Sequence, residues 1–94
     1  MEFEFDRVKS EANKRKHGVS LDEATQIWQE AYLDIAARTV DEPRSMAIGR
    51  IRDKLYACIY TVRGESLRLI SCRRAHGREV QLYDENFKKN IGQE

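Results

Sequence analysis

Hydrophobic positions along the chain change period twice, and each change marks a change of element. Phe5, Val8 and Ala12 recur at helical spacing, so the segment from Asp6 to His17 reads as a helix capped by Asp6. Gly18 ends it, at the position where a left-handed residue closes a helix. Lys14, Arg15, Lys16 and His17 fill the last turn, where positive charge meets the negative end of the helix dipole. Ser20-Leu21-Asp22-Glu23 is a capping box, in which the Ser20 hydroxyl and the Glu23 carboxylate satisfy backbone donors reciprocally and start a second helix. Leu21, Ala24, Ile27, Trp28 and Ala31 then form one apolar stripe, which assigns Trp28 to the core rather than to a base-stacking surface.

From Tyr32 the period becomes two. Leu33, Ile35 and Ala37 alternate with Tyr32, Asp34 and Ala36, as in a half-buried strand. A polar connection from Thr39 to Ser45 holds the only proline, Pro43. Strands are expected over Met46 to Ile51, Lys54 to Arg63 and Ser66 to Cys72, with turns at Arg52-Asp53 and Gly64-Glu65, which makes an antiparallel meander. A two-residue Gly64-Glu65 turn pairs Arg63 with Ser66. An unbroken register then sets Tyr60 opposite Leu69, Cys58 opposite Ser71 and Tyr56 opposite Arg73. It gathers Tyr56, Tyr60, Ser71 and Arg73 on one face and makes Ala57, Ile59, Ile70 and Cys72 the core side. Cys58 and Cys72 would point to opposite faces, which excludes a disulfide between them. The chain should close with a helix from His76 to Lys89, with Val80, Tyr83, Phe87 and Ile91 as its apolar stripe. The expected fold is α+β: two N-terminal helices, an antiparallel sheet of about four strands and a C-terminal helix, in one domain over residues 1–94.

Length and charge narrow the picture. A chain of 94 residues supports one thin core and favours a site on an open face over a deep pocket. Hydrophobic residues make up 40% and charged residues 35%, mixed in sign, as in a folded domain. The net charge of +1 hides an asymmetry: residues 1–49 carry 7 basic and 10 acidic side chains, residues 50–94 carry 10 and 6. The second half is either ordinary surface scatter or a basic face that attracts phosphate. No apolar run is long enough to cross a bilayer, and Glu2, Glu4 and Asp6 have the wrong sign for a secretory signal, so a cytoplasmic protein without membrane partners is expected. The two cysteines have no metal-binding spacing and read as reduced and buried.

Residue types exclude several familiar sites. The chain has no phosphate loop of the Gly-x-x-x-x-Gly-Lys kind, no Gly-x-Gly-x-x-Gly, no His-Glu-x-x-His and no Gly-x-Ser-x-Gly. Nor does it show a carboxylate cluster for a two-ion site. What remains is Arg63, Arg68, Arg73, Arg74 and Arg78, near a hairpin and a helix that also offer His76, Glu79, Tyr56, Tyr60 and Tyr83. Metal-free RNA cleavage needs a base for the ribose 2′-hydroxyl, donors for the phosphorane and an acid for the leaving 5′-oxygen. Arginine forks suit phosphate oxygens, and tyrosines stack bases. The same residues also make a plain RNA-binding or solvated face, and composition does not separate the two.

The order and spacing of particular residues resemble the BrnT family of short toxins, similar in fold to the RelE and ParE toxins. The matching pieces are Phe5-Asp6, Lys9, Asn13, Lys16-His17-Gly18-Val19-Ser20, Glu42-x-Arg44 and Gly49. They continue with Tyr60-Thr61, Arg63, Arg68-Leu69-Ile70-Ser71-x-Arg73-x-Ala75, Glu79 and Tyr83. The resemblance implies an endoribonuclease that blocks translation and a ribbon-helix-helix antitoxin of the BrnA type as partner. It also implies contact with operator DNA only through the toxin–antitoxin complex. It places Lys16 and His17 near substrate, Arg63 and Arg73 on phosphate, and Glu79 and Tyr83 as supporting or proton-handling groups. The candidate catalytic set is thus His17, Arg63, Arg73, Glu79 and Tyr83, with Lys16, Arg44, Tyr60, Arg68 and Arg74 as RNA contacts and no metal or cofactor. The chain departs from its relatives at His76-Gly77. The alternative function is a non-catalytic interaction module, or a toxin-fold protein acting on another target such as gyrase.

Overall fold

A short strand, Glu2–Glu4 (β1), precedes everything that the helical periodicity marks. After it come α1 (Arg7–His17), α2 (Leu21–Ala24), a 3₁₀ turn (Thr25–Gln29), β2 (Leu33–Ala37), β3 (Arg44–Ile51), β4 (Lys54–Arg63), β5 (Ser66–Arg74) and α3 (Gly77–Ile91). The computed structural model describes residues 1–37 and 42–91, with side chains to residue 87. Thr39, Val40 and Asp41 of the expected polar loop, and the Ile91 side chain of the expected stripe, lie outside these. Among the described residues the strands form one five-stranded sheet in the order β1-β5-β4-β3-β2. Neighbours are antiparallel except β1, which runs parallel to β5. The fold is α+β, and the sheet is mixed rather than a four-stranded antiparallel one.

Helices lie on both faces. Val19, Leu21, Ala24 and Ile27 pack on one face against Ala47, Cys58 and Cys72. On the other, Tyr83 and Phe87 of α3 cover Ile48 and Ala57. The local signals in the sequence are realised. Asp6 accepts a hydrogen bond from Lys9 N, Gly18 takes the left-handed conformation at φ 85°, and both bonds of the Ser20/Glu23 capping box are present. Glu23 also binds Lys14 and Arg52, tying α1, the start of α2 and the β3–β4 turn together. The Lys14 hydrogen bond, with the Ser20 N–H, holds its carboxyl down at about 2.

The second helix is shorter than its stripe predicts: one α-turn passes directly into the 3₁₀ turn, and Ala31 is exposed. Ile27 presses onto β3 at Gly49, where a Cβ would lie 2.8 Å from Ile27 Cγ2 and 3.2 Å from Tyr32 Cβ. Glycine is therefore required for this close approach. Trp28 packs against the core with Phe3, Tyr32 and Tyr60 around it, at ring separations of 5.2, 5.8 and 5.3 Å.

Two expectations fail for long-range reasons. The first concerns α1, whose apolar spacing marks Val8 and Ala12 as its inner face. Val8 is 72% exposed and Ala12 is exposed, while the buried residues are Ser10 and Asn13. Asn13 Nδ2 donates to the carbonyls of Val19 and Cys72, both at 2.7 Å, and its Oδ1 accepts from Cys72 N at 3.1 Å. Ser10 Oγ accepts from Leu21 N at 2.9 Å. The helix is thus docked by buried polar bonds that replace backbone partners.

The second is the hairpin register. Arg63 pairs with Ser66 and Tyr60 with Leu69 as expected, but a bulge follows, and from there Ile59 pairs with Ser71, Cys58 with Cys72 and Tyr56 with Arg74. Ile70 is the extra residue. The cysteines are therefore directly opposite each other on one face, both buried and both free thiols. The Cys72 neighbour and burial raise the Cys58 pKa well above the usual thiol value. The expected faces are also redrawn. Tyr56 and Tyr60 join Cys58, Leu69 and Cys72 in the core beneath α1, whereas Ala57 belongs to the core beneath α3.

Asn13→Ala should lower stability by about 2 to 3 kcal/mol, because it leaves the buried Cys72 N–H and two carbonyls without partners. Val8→Ala, on the face that the apolar spacing favoured, should change it by less than about 0.5 kcal/mol. Denaturant unfolding of the two variants compares them directly, and equal losses would remove the polar anchor from this account.

Candidate functional site

Alternation along the strands decides which side chains share a face. Ala57 lies beneath α3, so Ile59, Thr61 and Arg63 of β4 point to that same side. Their partners on β5 are Ser71, Arg68 and Ser66, and Arg73 is the partner of Ala57. On β3, Met46 lies on this side with Ile48, and so does Arg44 at the start of the strand. The apolar side of α3 packs on residues of β2, β3 and β4 together with Ala75. The sector carried by β5 and the far end of β4 has no packed helix over it among the described residues.

Four of the candidate residues, Arg44, Arg63, Arg68 and Arg73, therefore project from one face of the sheet, and Glu79 joins them from the first turn of α3. Arg44 and Arg63 are exposed. Arg68 keeps 33% of its side-chain surface and contacts Glu4 of β1 at 3.5 Å. Arg73 is more enclosed. Its Nη1 and Nη2 donate to the two carboxylate oxygens of Glu79, each at 2.7 Å, and Nη1 also donates to the Arg74 carbonyl at 3.2 Å. Glu79 Oε1 accepts in addition from His76 N at 2.7 Å, so the same carboxylate closes the start of α3 and holds the guanidinium. The Arg73 hydrogen bonds and the His76 N–H outweigh burial and hold the Glu79 carboxyl below its ordinary range.

The other candidates lie elsewhere. Tyr83 is buried beneath α3 with its ring 4.5 Å from that of Phe87. Tyr60 is buried on the opposite face, where its hydroxyl donates to Asp34 at 2.7 to 2.8 Å; burial and that carboxylate raise its pKa far above the usual phenol value. Arg74 also points to that opposite face, its guanidinium 5.7 Å from the centre of the Tyr56 ring. Lys16 and half-buried His17 end α1, in the layer across the sheet from Arg73. The Asn13–Cys72 bonds direct this last turn toward the C-terminal end of β5. The structure thus brings Arg73 and Glu79 into contact, sets Arg44, Arg63 and Arg68 on the same face, and leaves the two tyrosines in the cores.

Sequence reasoning grouped Ser71 with Arg73, as the structure does, but missed Glu4 and Thr61 as neighbours of this face. Thr61 is buried and donates to the Pro43 carbonyl at 2.8 Å, which fixes the approach to β3. The alternation of Glu2 and Glu4 with Phe3 and Phe5 was the signal for β1. No group of three or more His, Cys, Asp or Glu gathers as a metal site among the described residues. No helix among them is long and apolar enough to cross a membrane.

An uncovered sheet sector with several guanidinium groups and one tightly held Arg–Glu pair is chemically suited to engage phosphate. The comparisons identify the class as a ribonuclease toxin. The chain matches, over residues 5–79, the family described as "Ribonuclease toxin, BrnT, of type II toxin–antitoxin system", and it belongs to that family. Its substrate is accordingly RNA and its partner an antitoxin. No curated protein matches the chain significantly.

If Arg73 holds Glu79 ionised, the Glu79 carboxyl titrates below the ordinary 4.5 in an NMR titration, and Arg73→Ala moves the midpoint upward. A depressed folded-state pKa stabilises above the unfolded value, and this contribution disappears as pH falls through the folded one. The parent should therefore lose stability on acidification more steeply than Arg73→Ala. An unchanged midpoint in that variant would show that the pair is not coupled.

Proposed function

We propose that this toxin is a metal-independent endoribonuclease that cuts single-stranded messenger RNA in the cytoplasm and so stops translation. The observation that carries the reading is that Arg44, Arg63, Arg68 and Arg73 share one face of the sheet, part of it without a helix over it among the described residues, with Arg73 oriented by a two-pronged carboxylate. In-line attack of a ribose 2′-oxygen concentrates negative charge on the non-bridging phosphate oxygens, and a fixed guanidinium stabilises that charge without an ion. Arg73 takes this position; Arg63, Arg68 and Arg44 track the neighbouring backbone phosphates. His76, whose backbone N–H binds Glu79 at the head of α3, supplies an imidazole for proton transfer.

The antitoxin in this reading is a ribbon-helix-helix protein of the BrnA type. An acidic or amphipathic segment of it covers the arginine face, and the complex, rather than the toxin alone, contacts operator DNA. Co-expression should relieve growth arrest and yield a copurifying complex. A toxin face that still binds RNA in that complex would count against direct coverage.

The purified chain should cleave single-stranded RNA in excess EDTA, with activity falling as salt rises because each phosphate contact releases counterions. Arg73→Lys should fail nearly as badly as Arg73→Ala, since lysine keeps the charge but not the fork, with losses on the order of 10² to 10³ in rate. Cleavage lost on chelation and restored by a divalent cation would overturn the metal-free reading. An Arg73→Lys variant as fast as the parent would remove Arg73 from the phosphate.

A further inference from the structure

We infer that Glu79 is a positioning residue of the ribonuclease site: it grips one edge of the Arg73 guanidinium and leaves the other edge set for two oxygens of an RNA phosphate. This rests on the proposal that RNA phosphate meets the arginine face. It assigns Glu79 a role distinct from proton transfer.

A guanidinium carries five N–H donors in a plane, and they form two forks. The end-on fork, one hydrogen each from Nη1 and Nη2, is taken by Glu79 at 2.7 and 2.7 Å. The remaining Nη1 hydrogen goes to the Arg74 carbonyl. Left over are the Nε hydrogen and the second Nη2 hydrogen, which lie parallel on the side edge and match the spacing of two phosphate oxygens. Among the described residues nothing accepts from Nε. The one buried side-chain nitrogen or oxygen without a partner there is Trp28 Nε1, so Arg73 Nε reaches solvent.

Glu79 is itself fixed. It is the third residue of α3, its Oε1 is shared between Arg73 and the His76 N–H, and its side chain keeps only 13% of its surface. Both carboxylate oxygens are engaged, which leaves the group poorly placed to take a proton from a ribose. Because the pair is close to neutral as a unit, its contribution is directional, and the long-range attraction of RNA falls to Arg44, Arg63 and Arg68. A fork held in place before substrate arrives needs no reorganisation as the phosphorane forms.

Glu79→Gln separates these roles, because its amide oxygen still accepts from His76 N while its amide nitrogen faces the Arg73 donors. The expected result is an RNA-cleavage kcat lower by on the order of 10- to 100-fold, with KM little changed and the pH–rate profile keeping its shape. A double variant with Arg73→Lys should be no slower than Arg73→Lys alone. A Glu79→Gln variant as fast as the parent, one that loses a limb of the pH profile, or a fully additive double variant would each overturn the inference. A second measurement does not depend on how the variant folds: a 2′-deoxy-substituted RNA oligonucleotide added to the parent should shift the Arg73 Nε–H resonance and slow its exchange with water. A resonance indifferent to the oligonucleotide also overturns it. If Arg73→Lys cleaves normally, the RNA-phosphate reading itself fails; if Arg73→Lys is inactive and Glu79→Gln is normal, only the positioning role does.

Discussion

A single primary amide stands in for a missing stretch of β-strand, and the arrangement of both faces follows from it. β1 pairs with β5 from Ser66 to Arg68, and beyond that point the outer edge of β5 has no strand partner among the described residues. Asn13 supplies one at Cys72, donating to the carbonyl and accepting from the N–H as an adjacent strand would. Its second Nδ2 hydrogen binds the Val19 carbonyl and so fixes the chain as it turns from α1 toward α2. An edge that would invite pairing with another chain is thereby closed from within. The cost of failure is high, because the groups involved are buried and have no water to replace the amide.

Cys72 is next to Arg73, and alternation sends consecutive side chains to opposite faces. Whatever pins Cys72 beneath α1 therefore aims Arg73 at the side of α3. The bulge at Ile70 completes this geometry. With an unbroken register, Arg73 and Ser71 would share the face of Tyr56 and Tyr60, far from Glu79. One extra residue reverses that parity, so that Leu69 and Cys72, three apart, both enter the lower core while Ser71 and Arg73 face the other way. A bulge of this kind re-aims side chains without breaking the strand, and here it brings the guanidinium to its carboxylate.

The features readable in the sequence were those whose cause is local. Asp6, Gly18 and the Ser20/Glu23 box satisfy helix ends with atoms three or four residues away, and the Gly64-Glu65 turn fixes the first hairpin pairs. The failures all depended on distant partners. Nothing near Asn13 in sequence indicates that its amide will meet Cys72, 59 residues on, and this contact is what turns Val8 to solvent. Likewise the brief alternation from Glu2 to Phe5 acquires its meaning only from the pairing of β1 with β5, more than 60 residues on, and the bulge leaves no signature in the residue types around Ile70. At the site, residue chemistry pointed to the arginines and to Glu79, but only the parity of the strands separates Arg73 from Arg74, and Tyr60 and Tyr83 from an exposed surface. Tyrosine spacing alone does not distinguish a stacking platform from a core ring.

A small domain has little interior in which to orient a catalytic group. With 94 residues and a sheet covered unevenly by short helices, this chain offers an open sector rather than an enclosed pocket. A long side chain on such a surface would lose rotamer entropy on the order of 2 kcal/mol when it engages substrate. Pairing Arg73 with a carboxylate that also caps α3 moves that loss into folding, where the helix start and the end of β5 stabilise each other. Surface ion pairs contribute little to stability, but this pair is partly enclosed and two-pronged, and each partner is held by a second bond. Its value is geometric: in the proposed reaction, orientation that a larger enzyme obtains from a pocket is obtained here from a hydrogen-bonded neighbour.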